Sequence, residues 1–375
     1  MLAAFLQNWI HSRGLGFLKK ALKRILIFVI ILLVILGAYV WYVFHAYYRL
    51  PDNLTLEVNR NGENTYFDED FGLREGEAYL ILTYNIGFGA YRKDYSFFMD
   101  GGKSSWAKDE ESVIAGVSAM GEIVNDVNPD FVLLQEVDRD STRSYHVDEL
   151  ELINQFIKGY YYDFAQNYDS PFLFFPPWQP HGASVSGLVT YSREGFKDTM
   201  RRSLPISESF SKFVDLDRCY SISRIPTEND KQLCIYNMHM SAYGSSDEIR
   251  SGQLAMLYQD MEADYKKGNY VICGGDFNHN LKVDAQENAP EWAYPFPRES
   301  LPQGFSMAID SAKDQDVTHN SCRNANEPYT EGKTYTVTLD GFIVSDNVEV
   351  NFYQNMDWGY EYSDHDPVLM QFILE

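Results

Sequence analysis

The chain has 375 residues, of which 54 are acidic and 31 basic, so its formal net charge at pH 7 is −23. So acidic a chain disfavours general binding to nucleic-acid backbones and to anionic membranes. Four cysteines are too few for a disulfide scaffold, although Cys219 and Cys234 could bridge a hairpin.

The first predicted element is a membrane-spanning signal anchor over residues 25–48. Its apolar part, Ile25–Phe44, has 20 uncharged residues, which at about 1.5 Å each span a hydrocarbon core of roughly 30 Å. Five basic and no acidic residues precede it. The positive-inside rule therefore predicts a cytoplasmic tail over residues 1–24 and an extracytoplasmic domain, held as a single-pass protein of the cell membrane. A cleaved signal peptide is the alternative, but Gly37-Ala38-Tyr39 is a poor cleavage site.

Residues 49–78 are polar and turn-rich and are predicted to form a stalk, followed by one domain over residues 79–375. Two helices are predicted in that domain. Glu110–Val127 carries an apolar stripe, and Ser245-x-x-Glu248 fits a capping box that opens a second helix. The predicted strands are Tyr79–Tyr84, Asp130–Gln135, Gly187–Tyr191, Leu233–Met238, Tyr270–Cys273, Leu339–Val344 and Val368–Ile373. Apolar strands interleaved with helices predict an α/β fold with covered sheets.

Five short strings follow apolar runs and contain the residue types that phosphoryl transfer needs. Each is expected to place an amide, a carboxylate or an imidazole where a buried strand leaves its sheet. Five such endings in one chain predict one composite site. The strings are Thr83-Tyr84-Asn85, Leu134-Gln135-Glu136, Asn237-Met238-His239, Gly274-Gly275-Asp276-Phe277-Asn278 and Ser363-Asp364-His365-Asp366-Pro367.

These strings and their order resemble the endonuclease/exonuclease/phosphatase superfamily, which includes pancreatic-type deoxyribonucleases, apurinic endonucleases, inositol-phosphate phosphatases and neutral sphingomyelinases. The resemblance covers Tyr79–Glu375, and its most specific motifs are GGDFN and SDHDP. It implies a four-layered α/β sandwich, two packed β-sheets flanked by helices, here preceded by one N-terminal transmembrane helix.

A metal site is expected around Glu136. This residue follows the string FVLLQ, so its carboxylate is desolvated unless a cation neutralises it. Mg²⁺ suits such a place because it binds through one or two carboxylates and keeps several waters. The resemblance implies that Glu136 is the principal ligand and that Asn85 lies beside it. Asp364 is a candidate second ligand, and the expected cofactor is Mg²⁺ or Mn²⁺.

Proton transfer is expected from two histidines. The resemblance implies that Asp340 orients His365, and that Asp276 and Asn278 surround the attacking water and a phosphate oxygen. Two residues apart on an extended segment, this pair should face the same side. His239 occupies a position that is tyrosine in apurinic endonucleases and histidine in deoxyribonuclease-like and sphingomyelinase-like members. Two histidines allow one acid and one base near neutral pH, without indicating which is which.

The sequence thus predicts a membrane-anchored, divalent-metal-dependent hydrolase of phosphoric esters that acts outside the cytoplasm, with a phosphodiester as the expected substrate. The ester could belong to a lipid head group, a nucleotide or a nucleic acid. The N-terminal helix would contact the lipid bilayer, and no protein partner is evident.

Three alternatives stay open. The first is an extracellular nuclease, disfavoured by the acidity, and the second is a sphingomyelinase- or phospholipase-C-like enzyme, favoured by the anchor and His239. The third is a non-catalytic ectodomain that serves as a binding surface, although the chain retains every catalytic group. Two further segments match no family motif. Asp100-Gly101-Gly102 is predicted to be a turn, with a loop near the metal as the alternative. Tyr160–Trp178 is predicted to be an aromatic core strand, with the rim of a substrate cleft or a contact to lipid as the alternative.

Overall fold

The computed structural model describes residues 2–62, 72–207, 209, 212, 216–241, 246–282, 289–290 and 292–375, with side chains from residue 18 onward. The chain divides into two compact units, Met1–Tyr48 and Arg49–Glu375. The first unit contains a single helix, α1, over Leu2–Ala46. Its segment Leu18–Ala46 has the length and composition to cross a membrane.

In its described residues, the second unit contains two large sheets, a two-stranded sheet of β13 and β14, and four α-helices. The helices are α2 (Glu110–Val127), α3 (Glu149–Ile153), α4 (Asp247–Tyr265) and α5 (Ala308–Ser311). The strands are β1 (Leu54–Thr55), β2 (Asn59–Asn61), β3 (Ala78–Asn85), β4 (Phe131–Ser141), β5 (Tyr160–Leu173), β6 (Gly182–Ser192), β7 (Asp198–Ser203), β8 (Cys219–Pro226), β9 (Gln232–His239), β10 (Tyr270–Asp276), β11 (Phe305–Met307), β12 (Asp314–Asp316), β13 (Cys322–Arg323), β14 (Thr336–Val337), β15 (Asp340–Ser345), β16 (Val348–Asn355) and β17 (Val368–Leu374).

The strand order places two parallel pairs near the middle of the sheets. The first sheet has the order β1-β7-β8-β9-β10-β15-β11, and the second has the order β12-β16-β17-β3-β4-β6-β5-β2. In the first sheet β9 is parallel to β10, and in the second β3 is parallel to β4. Because parallel strands end at the same edge, each sheet brings two carboxyl-terminal strand ends together.

Alternating side chains of the central strands form two apolar layers. On β3, Ile81 packs between the sheets with residues of β9 and β10 such as Ile235 and Ile272. The next residue, Leu82, points the other way and packs with Val113 and other residues of α2. Residues of α4 join the first layer from the outer side of the first sheet. The predicted four-layered α/β sandwich is therefore confirmed.

A buried polar bridge joins the two sheets below the edge where β3, β9 and β10 end. The Gln135 amide donates to Asn237 Oδ1 at 2.9 Å and to Thr83 Oγ1 at 3.1 Å. The Asn237 amide in turn donates to the Val189 carbonyl at 2.9 Å. All three polar side chains are buried, and satisfied buried polar groups of this kind fix how two layers align.

Several predicted boundaries are wrong. The strand predicted to end at Gln135 continues to Ser141. Residues 54–55 and 59–61, assigned to a stalk, add edge strands to the first and second sheets, so this part of the segment belongs to the folded domain. Ser246 caps α4 by accepting from Ile249 N–H, one residue after the predicted Ser245, which lies outside the described residues. The sequence also missed β7, β8 and β16, whose apolar and polar residues do not form continuous apolar runs. The aromatic strand predicted over Tyr160–Trp178 is β5, which ends earlier, at Leu173.

The proposed disulfide between Cys219 and Cys234 does not form. Both thiols are free and buried. In the antiparallel pair β8–β9, Cys234 lies opposite Arg224 rather than opposite Cys219. The two cysteines are therefore too far apart along the ladder to be bridged.

Candidate active site

Three of the predicted site residues lie side by side on the first sheet. His239 is the last residue of β9 and pairs with Asp276, the last residue of β10. Asp276 in turn pairs with Asp340, the first residue of β15. The register alone therefore places an imidazole and two carboxylates in a row at one edge of the sheet.

Glu136 reaches the same edge from the second sheet because its strand is irregular. The pairing of β4 with β6 shifts between Leu134 and Val137, and Glu136 has a φ of 57°. A bulge with a left-handed residue re-aims a side chain without ending the strand. The prediction that Glu136 stands at a strand end is thus replaced by a bulge inside β4.

Asn85, the last residue of β3, links the two sheets at this edge. Its amide donates to Glu136 Oε1 at 3.2 Å and to Asp276 Oδ2 at 3.1 Å. His239 lies against the same pair of carboxylates, with Nε2 3.8 Å from Glu136 Oε1 and 3.6 Å from Asp276 Oδ2. The four side chains form one polar cluster between the sheets.

His365 completes the cluster from a loop. Its Nδ1 lies 2.7 Å from Asp340 Oδ2, and its Nε2 lies 3.8 Å from Asp276 Oδ2. The string Ser363–Pro367 precedes β17 instead of following a strand, so the expectation that all five strings end strands is wrong for this one. The loop is held near the site because Ser363 Oγ donates to the Asn85 carbonyl at 2.9 Å.

Asp364 is partly buried beside the start of the β3–α2 loop. A Cβ on Gly87, whose φ is +54°, would lie 3.2 Å from Asp364 Oδ1 and 3.0 Å from Ser363 Oγ, so this close approach requires glycine. Burial raises the pKa of Asp364 to about 6, and the negative charge of Glu136 contributes to the rise against the opposing charge of His365. Asp364 therefore faces the same site as Glu136.

Asn278 enters the site through a turn. Its backbone N–H donates to Asp276 Oδ1 at 2.8 Å, its φ is 49°, and its side-chain amide donates to the Met240 carbonyl at 3.0 Å. The alternation expected for an extended segment does not apply, because β10 ends at Asp276 and the chain turns there.

The two histidines have opposite pKa shifts. Burial lowers the pKa of His239 well below its usual value, and the charges of Arg218 and His365 act in the same direction. Burial also opposes the charging of His365, but the carboxylates of Asp340 and Asp276 raise its pKa well above the usual value. The site therefore favours a neutral His239 and a charged His365.

The oxygen-rich part of the cluster fits a hard divalent cation. Burial raises the pKa of Asp276 to about 7, and the nearby Asp340 adds to the rise against the opposing charge of His365. Within the described part of the chain, no lysine or arginine forms a salt bridge with Glu136, Asp276 or Asp364. Carboxylates that crowd together without a lysine or arginine partner are the ligand type that Mg²⁺ and Mn²⁺ prefer.

Sequence reasoning missed one residue that contacts the histidine–aspartate pair. Ser321 Oγ donates to Asp340 Oδ2 at 2.6 Å and accepts from the Leu339 and Asp340 backbone N–H groups at 3.0 and 3.1 Å. Ser321 is fully buried. No local pattern marks it, because it meets Asp340 only through the fold.

Asp366, also in the SDHDP string, belongs to a neighbouring cluster. Its Oδ2 lies 2.8 Å from His319 Nε2 and accepts from the backbone N–H groups of Trp358 and Tyr360, both at 3.1 Å. The Asp366 backbone N–H donates to the Ser321 carbonyl at 2.7 Å. Asp366 thus ties the His365 loop to two adjacent loops.

Comparison with known proteins gives the family. The sequence model of the Endonuclease/Exonuclease/phosphatase family matches residues 82–365, most of the chain, so the chain belongs to this family. Members of the family are typically phosphoester hydrolases and generally depend on divalent metal ions. No curated protein matches the sequence significantly.

Solved structures show the same fold at low identity. An endonuclease/exonuclease/phosphatase from Beutenbergia cavernae is 17% identical, with a TM-score of 0.57 over 79% of this chain and 72% of that one. A family protein from Leptotrichia buccalis is 15% identical, with a TM-score of 0.53 over 78% of this chain and 99% of that one. A mannosyl-6-phosphatase from Bacteroides thetaiotaomicron is 15% identical, with a TM-score of 0.52 over 79% of this chain and 100% of that one.

Proposed function

We propose that this protein is a membrane-anchored, divalent-metal-dependent hydrolase of phosphoric esters whose catalytic domain lies outside the cytoplasm. The observation that carries the proposal is the convergence of Asn85, Glu136, His239, Asp276 and His365 from two sheets into one cluster with separations of 3.1–3.8 Å. Structural ion pairs do not require two histidines, two carboxylates and an amide in one place.

In this proposal Glu136, Asn85 and Asp364 hold Mg²⁺ or Mn²⁺, which when bound neutralises the charge of the phosphoryl oxygens. Asp276 and Asn278 position the attacking water and a phosphate oxygen. Asp340 fixes the tautomer and orientation of His365.

The histidines divide the proton transfers. The opposite pKa shifts support a neutral His239 that accepts a proton and a charged His365 that stabilises the phosphoryl group or donates a proton to the leaving oxygen. Two groups whose surroundings push their pKa values apart are suited to opposite roles at one pH.

A metal-binding experiment tests the proposal. Glu136→Gln should weaken Mn²⁺ binding, measured by calorimetry, and lower the hydrolysis of aryl phosphates, because the substitution removes a charged oxygen ligand. EDTA should abolish the activity of the unaltered protein. Glu122→Gln, on the exposed face of α2, is the matched control and should change neither quantity. Full activity of Glu136→Gln in the presence of EDTA would show that the cluster is not a metal site.

Protease accessibility tests the membrane topology. The basic flank of α1 supports an orientation with the N-terminus in the cytoplasm. Protease added to intact cells or spheroplasts should then digest the domain after Arg49 and leave the N-terminal tail. Protection of the domain until the cells are lysed would reverse this orientation.

A nuclease remains the second candidate within the family. The family match favours a nuclease, because endonucleases and exonucleases belong to this family. Plasmid DNA as a substrate beside aryl phosphates and phospholipid vesicles distinguishes the two, because the net charge of −23 predicts weak, salt-sensitive binding to DNA.

A further inference from the structure

Four large apolar side chains stand exposed on two neighbouring loops, and we call them the aromatic surface. Met99, Phe174, Phe175 and Trp178 have exposed fractions of 66%, 59%, 65% and 70%. The Phe175 ring contacts the ring of Phe98, the residue before Met99, at a centroid distance of 5.8 Å. Contiguous exposed apolar side chains of this size mark a contact with another molecule.

Hydrogen bonds to Ser105 and Trp106 fix the loop between β5 and β6. The exposure of the aromatic side chains of this loop is therefore a property of the fold. Gln179 Oε1 accepts from the Ser105 backbone N–H at 2.9 Å, and the Trp106 indole donates to the Pro180 carbonyl at 2.7 Å. Within the loop, Gln179 N–H donates to the Pro176 carbonyl at 3.2 Å. The loop is therefore a fixed turn that presents its aromatic side chains outward.

The aromatic surface adjoins the candidate active site. Met99 lies on the single turn Phe98–Asp100. Burial raises the pKa of the next residue, Asp100, to about 7, and the negative charges of Asp364 and Glu136 add to the rise. Just before this turn, Phe97 N–H donates to the Ala325 carbonyl at 2.8 Å, and Arg323 N–H, two residues before Ala325, donates to the Asp364 carbonyl at 2.9 Å. The turn that exposes Met99 is therefore bonded to the segment that holds Asp364, which places the aromatic surface at the rim of the site.

The chemistry of this surface matches a neutral membrane interface. Residues 171–182 contain no aspartate, glutamate, lysine or arginine, although the chain has a net charge of −23. Their one histidine, His181, is kept neutral because burial, together with the charge of Arg143, lowers its pKa to about 3. Tryptophan and phenylalanine partition to the boundary between head groups and acyl chains.

A segment of the same chain can bring the domain close to a bilayer. Leu18–Ala46 can cross a membrane by its length and composition, and the domain begins at Arg49. An acidic domain is repelled by anionic lipids, so the uncharged aromatic surface suits a zwitterionic bilayer. These observations favour a lipid surface over a protein partner.

We propose that the aromatic surface inserts into the interfacial region of a zwitterionic phospholipid bilayer and holds the candidate active site over phosphate esters at the membrane surface. The inference rests on the proposed function, because it names where that site finds its substrate. It gives the aromatic loop a role separate from the membrane-spanning helix, which tethers the chain without orienting the site.

The test uses the full-length chain in phosphatidylcholine nanodiscs, with and without phosphatidylcholine brominated on its acyl chains. The difference in emission between the unaltered protein and Trp178→Phe isolates the fluorescence of Trp178. Brominated lipid should quench this difference at least about twofold, because an interfacial side chain lies within several Å of the acyl chains. Trp292→Phe, at a partly buried tryptophan that packs on Tyr335, gives a reference difference that should not be quenched.

A second variant separates the surface from the tether. Phe174→Ser combined with Phe175→Ser should remove most of the Trp178 quenching, whereas Ile114→Ser, at an exposed apolar position of α2, should leave it unchanged. Turnover of a soluble aryl phosphate should be the same in all of these variants, which shows that the site remains folded.

Three outcomes would overturn the proposal. Trp178 emission that is insensitive to brominated lipid would mean that the surface does not reach the bilayer. Quenching that survives in the Phe174/Phe175 double variant would assign the contact to the tether alone. Equal loss of soluble-substrate turnover in that variant would make the loop a support of the site. Absence of metal-dependent hydrolysis in the unaltered protein would refute the proposed function instead, and the quenching measurement does not depend on it.

Discussion

Replacing Asp340 by asparagine tests the histidine–aspartate pair most directly. Asp340 Oδ2 receives hydrogen bonds from His365 Nδ1 at 2.7 Å and from Ser321 Oγ at 2.6 Å, and the three side chains are buried. Asparagine keeps the shape but removes the charge. A hydrogen bond to a charged group contributes about 1.5–3 kcal/mol, and about 1.36 kcal/mol changes a rate tenfold, so kcat should fall about 10- to 150-fold.

The same substitution should change the titration of His365. Asp340 helps to raise the pKa of His365 against the effect of burial, so Asp340→Asn should lower that pKa, as measured by NMR of the metal-free protein. A raised folded-state pKa gives stability that is complete below the unfolded value of 6.5 and is lost as the pH rises through the folded value. The unaltered protein should therefore lose stability over that interval, and the variant should lose less.

The control is Asp357→Asn. Asp357 Oδ1 lies 3.4 Å from Nδ1 of another histidine, His319, but its side chain is 70% exposed, so its removal should leave kcat and the titration of His365 unchanged. If Asp340→Asn kept both the turnover and the His365 pKa of the unaltered protein, the pairing would have no role in catalysis.

Three further substitutions separate chemistry from folding. His365→Ala and His239→Ala should each lower kcat of aryl phosphate hydrolysis by about 10²–10⁴-fold, the usual contribution of a positioned acid or base, with an unchanged circular dichroism spectrum. Near-normal turnover of His365→Ala would place the site elsewhere. Asn237→Ala should instead lower the free energy of unfolding by about 1–3 kcal/mol for each group left unpaired between the sheets, measured by urea titration. Stability equal to that of the unaltered protein would contradict the role of the amide bridge.

The sequence predicted the central strands well because their apolar runs are continuous. Strands β9, β10 and β17 were placed within three residues of their ends, since both faces of each strand are covered and select apolar residues. Strand β5 begins where the aromatic strand Tyr160–Trp178 was predicted to begin but ends at Leu173, and tyrosine alternates in it with aspartate, asparagine and glutamine. Half-covered strands near a sheet edge carry less of the signal that a continuous apolar run gives.

Site residues that lie within a sequence motif could be predicted. Site residues that only the fold brings into contact could not. The strings GGDFN and SDHDP identified Asp276 and His365 without any structure. Ser321 contacts Asp340 from 19 residues away, and nothing in its neighbours distinguishes it from other buried serines. Asp100 lies in a turn that matched no motif, yet the negative charges of Asp364 and Glu136 add to the effect of burial in raising its pKa to about 7.

The bulge in β4 explains why adjacent residues of one string can serve both the fold and the site. On β9, Asn237 of the amide bridge and His239 of the site are two residues apart, so a regular strand points both to the space between the sheets. Gln135 and Glu136 are consecutive, and a regular strand would point them to opposite faces. The shift in pairing between Leu134 and Val137 and the φ of 57° at Glu136 turn both side chains to the same side. The metal-ligand position in this proposal therefore depends on a backbone irregularity directly above the bridge that aligns the two sheets.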